Sequence, residues 1–135
     1  MRGAVGTAWS SDERRRTARG GWSVDAAGAL LRRYHDAVAG TALAGAPEVV
    51  CHGDFGPWNL IWVDGVPSFV IDFDNAHAGP RVEDVGYALW KFEIEMSPEP
   101  FLRGYGLPLG PRDAVDYAKQ RERERLTQNG RPTTS

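Results

Sequence analysis

The chain has 135 residues and a formal net charge of −2, which is enough for one modest hydrophobic core and too little for two ordinary domains with linkers. Basic residues are mixed with acidic ones except at residues 14–16 and 119–125, so no nucleic-acid surface is expected. No membrane span is predicted, because no apolar run approaches about eighteen residues. No signal peptide is predicted either, because the N-terminus does not have the charged, apolar and small-residue order of one. The single cysteine, Cys51, excludes an internal disulfide and fits a reducing compartment, which favours the cytoplasm.

The first third of the chain predicts a leader and one helix. Residues 1–22 are rich in Gly, Ser, Thr and Arg and predict a disordered leader. Ser23 is a suitable N-cap for an amphipathic helix over residues 24–38, which Gly40 would end. The apolar face of this helix carries Ala27, Leu30, Leu31, Tyr34 and Val38. His35 lies near that face, and we expect it to pack there and not to bind a ligand.

The middle of the chain predicts a short extended piece, a loop and a β-hairpin. Residues 48–51 are extended, and residues 60–71 form two β-rich runs around the turn Asp64-Gly65. Because the second strand of a hairpin returns to the start of the first, Asp72 is expected close to Asn59. Residues 78–80, Ala-Gly-Pro, are expected to break the chain.

The last third predicts helices separated by a loop. Helical spacing of apolar residues covers 82–94, and residues 96–111 form a Pro- and Gly-rich loop with a short element at 101–105. A final helix begins near Asp113 and ends at about Leu126, and residues 128–135 are expected to fray. One α+β domain over residues 23–127 is therefore predicted.

The loop before the hairpin carries a spacing suited to phosphoryl transfer. It places Asp54 two residues after His52 and five before Asn59, with Asp72 beyond the hairpin. Asp54 would accept the proton of an attacking hydroxyl, and Asn59 and Asp72 offer the hard oxygen ligands that Mg²⁺ prefers. These residues predict a catalytic base and a magnesium site.

Three further residues are candidates for supporting roles. His52 is expected to hydrogen-bond the loop backbone in preference to acting as a ligand or base. Asp84, at a helix start, would accept from loop amides and cap the helix, or alternatively bind substrate. If the strand continues, Asp74 points the same way as Asp72 and either adds negative charge to the metal site or meets a cationic substrate. Alternatively, Asp74 caps a turn with Asn75. Cys51 lies in an apolar run and is expected to be a small buried side chain and not a nucleophile.

These motifs resemble the catalytic core of the aminoglycoside phosphotransferase family, whose fold is similar to that of protein kinases. The resemblance covers residues 23–126 and includes the helices on both sides of the catalytic loop. It implies a kinase-like C-terminal lobe and ATP-dependent transfer of a phosphoryl group to a hydroxyl of a small molecule. It also implies Asp54 as base and Asn59 and Asp72 as Mg²⁺ ligands.

The chain departs from the family pattern at the nucleotide-gripping half. The family's N-terminal lobe and its phosphate-pairing lysine precede the catalytic loop, whereas Lys91 and Lys119 follow it here. The N-terminal lobe is therefore expected to be absent, as in a truncated member. An alternative is a non-catalytic binding module whose uncovered apolar surface meets a partner or a second copy. A two-metal phosphoesterase would need more His ligands than the sequence offers.

Overall fold

The computed structural model describes residues 24–40 and 49–129, and these contain four α-helices and two small antiparallel sheets. The helices are α1 (Val24–Val38), α2 (Arg81–Lys91), α3 (Glu99–Tyr105) and α4 (Pro111–Asn129). The strands are β1 (Val49–Cys51), β2 (Leu60–Val63), β3 (Val66–Val70) and β4 (His77–Gly79), with a 3₁₀ turn at Pro57–Asn59. The mixed α and β content agrees with the predicted class.

The two sheets differ in how readily the sequence reveals them. Strands β2 and β3 form the predicted hairpin, with a bulge between Ile61 and Trp62. Strands β1 and β4 pair across a longer separation, with Cys51 opposite His77 and Val49 opposite Gly79. The predicted break at residues 78–80 falls at Pro80, between β4 and α2. Strand β4 itself was not predicted, because backbone pairing with β1 overrides the weak strand preference of this segment.

The helices pack as two pairs, α1 with α3 and α2 with α4. In the second pair, Gly86 lies so close to α4 that a Cβ atom there would fall 1.8 Å from the carbonyl oxygen of Ala114. Only glycine permits this approach without displacing the backbone. Among the described residues, no helix is both long and apolar enough to cross a membrane.

A single core of aliphatic and aromatic side chains joins the helices to the hairpin. Its largest fully buried members are Trp62, Tyr105, Phe55, Phe92 and Phe101. Phe55 comes from the loop that carries Asp54, so burial of its ring fixes that loop against the core.

Several predicted boundaries are corrected by the structure. Strand β3 ends at Val70, helix α2 covers Arg81–Lys91 in place of residues 82–94, and α4 continues three residues past Leu126. The predicted leader and residues 130–135 lie outside the described residues, so the domain limits stay predictions.

Candidate active site

The loop after β1 is held from below by the carboxylate of Asp84. Asp84 lies in the first turn of α2 and is completely buried. Its Oδ2 accepts from the backbone N–H of His52 at 2.6 Å, and its Oδ1 accepts from the N–H of Gly53 at 3.1 Å. This arrangement matches the expectation that Asp84 binds loop amides. It removes the need for water to satisfy two buried donors.

A buried histidine supports the same carboxylate from α1. Nε2–H of His35 donates to Oδ2 of Asp84 at 2.8 Å, and Nδ1 lies 2.6 Å from the hydroxyl of Tyr105. Burial raises the pKa of Tyr105, although the adjacent Arg81 guanidinium lowers it in part, so the phenol stays protonated and donates to Nδ1. His35 therefore packs in the core, as expected, and also orients Asp84.

His52 connects the loop to the segment that follows the hairpin. Its Nε2–H donates to the carbonyl oxygen of Ile71 at 2.8 Å, and its Nδ1 accepts from the N–H of Asp54 at 3.1 Å. These two partners fix the tautomer, because one is an acceptor and the other a donor. The ring also contacts Phe73 edge to face, at 4.8 Å between centroids. His52 therefore connects the backbone of Asp54 to that of Ile71, the residue before Asp72.

The carboxylate of Asp54 is oriented by three donors. Tyr87 Oη–H donates to Oδ1 at 2.5 Å, while Nδ2 of Asn59 and Nε1 of Trp58 donate to Oδ2 at 2.9 and 3.3 Å. Burial and the hydrogen bond to Asp54 raise the pKa of Tyr87, so its hydroxyl keeps its proton and remains a donor. Asp54 is partly exposed and is held in one orientation.

The side-chain orientation of Asn59 follows from its hydrogen bonds. Its Nδ2 donates to the backbone oxygen of Asp54 at 3.0 Å as well as to the carboxylate, and both are acceptors. The amide oxygen must therefore be the other end of the group, directed away from Asp54. This oxygen is the atom that the sequence analysis assigned to Mg²⁺.

Asp72 directly follows Ile71, whose backbone is hydrogen-bonded to that of Asn59. The N–H of Ile71 donates to the carbonyl oxygen of Asn59 at 2.9 Å, so the hairpin closes as the spacing predicted. Asp72 is exposed and adopts a left-handed conformation with φ of 63°. Such a conformation costs of order 1 kcal/mol or more for a residue with a side chain and is concentrated at functional sites. One carboxylate and one amide oxygen are a donor set that fits Mg²⁺.

The structure corrects one of the two interpretations of Asp74. The strand does not continue through Asp72, so the two carboxylates do not share a strand face. Asp74 and Asn75 are instead the central residues of a turn closed by the N–H of Ala76 and the carbonyl oxygen of Phe73, at 3.0 Å. The N–H of Asp74 lies 3.3 Å from Oδ1 of Asp72. The turn-forming role is therefore the one that the geometry favours.

Sequence reasoning missed Tyr87 and Trp58 as partners of Asp54. A signal for Tyr87 was available, since Tyr87 lies three residues after Asp84 and residues at this spacing share a helix face. A helix that presents Asp84 to the loop therefore presents Tyr87 to it as well. Trp58 gave no such signal, because a tryptophan in an apolar loop is ordinarily read as a core residue.

The two lysines of the sequence lie on α2 and α4. Nζ of Lys91 lies 3.9 Å from the ring centroid of Trp90, and Nζ of Lys119 lies 5.4 Å from it. Each also pairs with a carboxylate, Lys91 with Glu122 and Lys119 with Glu95. The prediction that the chain has no nucleotide-gripping lysine stays a prediction.

Comparison with known proteins identifies the family. Residues 5–123 match the model of the phosphotransferase enzyme family, and the protein therefore belongs to that family, which confirms the resemblance drawn from its motifs. The chain is also similar to the trifolitoxin immunity protein of Rhizobium leguminosarum bv. trifolii, with 35% identity over 86 residues. That match covers 51% of this chain and 32% of the relative, so the chain spans about a third of the relative's length.

Proposed function

We propose that this protein is an ATP-dependent phosphotransferase that moves the γ-phosphoryl group to a hydroxyl of a small molecule. The proposal includes a fold like the C-terminal lobe of a protein kinase. The observation that carries it is the carboxylate of Asp54, which is anchored by three donors beside the outward amide oxygen of Asn59. Membership of the phosphotransferase family supports the reaction class.

Asp54 is the proposed base. The hydroxyl oxygen of the acceptor attacks the γ-phosphorus, the bond from that phosphorus to the β–γ bridging oxygen breaks, and ADP leaves with the bonding electron pair. The hydroxyl proton passes to Asp54. Because Tyr87, Asn59 and Trp58 hold the carboxylate, the base is positioned before the acceptor arrives, which reduces the entropic cost of reaching the reactive geometry.

Asn59 and Asp72 are the proposed Mg²⁺ ligands. When bound, the ion would neutralise charge on the phosphate oxygens. The role of the chain is to place the two oxygen ligands. The hydrogen bond between the backbones of Asn59 and Ile71 and the left-handed conformation of Asp72 support this role.

The grip on ATP is the part for which this chain offers least. Both lysines are paired with carboxylates, so we propose that the nucleotide is held mainly through the metal, or with help from another segment or chain. Reaction with ATP and the single cysteine together favour a cytoplasmic location.

Release of ADP tests the proposal directly. The purified chain is incubated with Mg²⁺, ATP and a panel of hydroxyl acceptors that includes aminoglycosides, choline and sugars. We expect acceptor-dependent ADP release that falls at least about 10²-fold in D54N, as loss of a general base does, and is unchanged in E95Q. Turnover that survives D54N contradicts the assignment of the base.

A binding module is the second candidate function. Val66 and Phe69 on β3 are 48% and 57% exposed, which is unusual for two apolar residues on one short strand. A second copy of the chain is the proposed occupant of this surface. Sedimentation analysis would then show a dimer that F69D converts to monomer, and a monomer for the unaltered chain would exclude it.

A further inference from the structure

A second cluster of metal-ligating side chains lies outside the loop of Asp54. Cys51, His77 and Glu83 each offer one ligand atom, and these atoms all lie within 4.8 Å of one another. Cys51 and His77 are opposite each other in the β1–β4 pair, and Glu83 comes from the first turn of α2. Three separate elements therefore deliver a sulfur, a nitrogen and an oxygen to one place.

The hydrogen bonds of His77 prepare its ring for a metal. Nδ1–H donates to the backbone oxygen of Asn75 at 2.8 Å, and Nε2 lies 2.7 Å from Oε2 of Glu83. Metal-binding histidines commonly donate their second N–H to a backbone carbonyl, which fixes the ring and leaves the other nitrogen for the metal. Nε2 of His77 is therefore both oriented toward the cluster and anchored from behind.

Gly79 leaves space at the centre of the cluster. A Cβ atom on this residue would lie 3.1 Å from Sγ of Cys51 and 3.2 Å from Oε1 of Glu83. Any other residue would fill the space between the sulfur and the carboxylate. In a tetrahedral zinc site the ligand atoms lie roughly 3.3–3.8 Å apart, so the present spacing needs adjustments of about 1 Å or less.

We propose that Cys51, His77 and Glu83 bind a divalent transition-metal ion of the zinc type. The sulfur and nitrogen donors select such an ion over Mg²⁺, which prefers oxygen ligands only. His77 is partly exposed, so water can reach this cluster and occupy a fourth position on the ion.

Charge and protons balance in this site. Binding releases the thiol proton of Cys51, which the carbonyl oxygen of Pro80 otherwise accepts at 3.3 Å, and the proton on Nε2 of His77. The thiolate and the Glu83 carboxylate then neutralise the ion. Arg121 lies 3.9 Å from Glu83 but already donates to Glu124 at 2.8 Å, so it does not depend on Glu83.

The metal would brace the backbone that presents the candidate active site. Cys51 directly precedes His52, and Glu83 directly precedes Asp84, the residue that holds the loop. The proposed ion therefore joins β1, β4 and α2 through residues next to those that hold the loop.

Cobalt absorption tests the site in the unaltered chain. Because Cys51 is the chain's single cysteine, a thiolate-to-cobalt charge-transfer band during titration with Co²⁺ in excess Mg²⁺ reports this residue alone. We expect the band to saturate at one ion per chain and to disappear when Zn²⁺ is added. Absence of the band, or saturation at one ion per two chains, would overturn the proposal.

Variants separate the three ligands. C51S should lose the band, and H77Q and E83Q should weaken Co²⁺ binding at least about tenfold, as removal of a metal-site partner does. E95Q, an exposed glutamate elsewhere, should bind Co²⁺ as the unaltered chain does. If H77Q binds as tightly as the unaltered chain, the site is not the one proposed. If C51S does not fold, the titration of the unaltered chain decides alone.

Discussion

Asp84 holds the backbone of the loop after β1 in place. Its buried carboxylate accepts from two backbone amides and from the ring of His35. A buried acceptor with three donors stabilises the fold only while all remain, because each donor left without a partner costs its desolvation energy.

Removal of this carboxylate should therefore be strongly destabilising. We expect D84A to lower the free energy of unfolding by about 3–5 kcal/mol, because three buried donors lose their acceptor at roughly 1–3 kcal/mol each. Urea denaturation measures it, with D116A on the exposed face of α4 as the control. A loss in D84A no larger than in the control would mean that the loop does not depend on Asp84.

The hydroxyl of Tyr87 provides a smaller and more selective test. Y87F removes the 2.5 Å hydrogen bond to Asp54 and keeps the ring, so we expect a loss of about 1–2 kcal/mol in the free energy of unfolding. Y117F, at a more exposed tyrosine, should lower the free energy of unfolding by less than Y87F does. Equal effects in the two variants would show that the bond contributes nothing.

Asp36 makes stability depend on pH at the acid end. Desolvation raises the pKa of this carboxyl, but hydrogen bonds from Arg81 and Arg32 together outweigh it and hold the pKa below its ordinary value. A lowered folded-state pKa adds stability above the unfolded value of about 3.9, and this is lost as pH falls through the folded pKa.

The melting temperatures of the unaltered chain and D36N should therefore differ near neutral pH and converge in acid. Thermal unfolding from about pH 7 to pH 2.5 measures this difference. D116N should show no such convergence relative to the unaltered chain. A difference in melting temperature between D36N and the unaltered chain that stays constant with pH would show that folding does not lower the pKa of Asp36.

At the scale of elements, the contact between α2 and α4 depends on the absence of a side chain at Gly86. Alanine favours an isolated helix over glycine by about 1 kcal/mol, but here its Cβ would overlap the backbone of Ala114. We expect G86A to lower the free energy of unfolding by about 1–3 kcal/mol, as overpacking does.

The matched control is G110A, where a Cβ would meet only ordinary contacts with Asp113. Urea denaturation of both variants separates crowding from a general effect of alanine. Stabilisation by G86A would show that the two helices pack more loosely than the structure has them.

Elements with local signals were predictable from the sequence, and elements that depend on distant pairing were not. The Asp64-Gly65 turn between two β-rich runs identified the hairpin, and apolar spacing identified α1. Strand β4 has no such local signal, because His77, Ala78 and Gly79 become extended only by pairing with β1.

The candidate site shows the same division. The sequence predicted that Asp72 lies close to Asn59, because the hairpin joins these two residues. The hydrogen bonds from Tyr87 to Asp54 and from His35 to Asp84 were not predicted, because they depend on how α2 and α1 pack against the loop.

At the scale of the whole molecule, the family and the architecture support one account. The chain belongs to the phosphotransferase enzyme family and has the loop of Asp54, the hairpin and the flanking helices in continuous order. In the proposed function, Asp54, Asn59 and Asp72 together form the site of this chain that binds magnesium and the nucleotide phosphates.

Calorimetric titration with ATP, with and without Mg²⁺, tests that claim most directly. The account predicts ATP binding that depends on Mg²⁺ and weakens at least about tenfold, a change of about 1.4 kcal/mol, in D72A while D116A leaves it unchanged. Magnesium-dependent binding that is equally tight in D72A, or no binding to the unaltered chain at millimolar ATP, would contradict it.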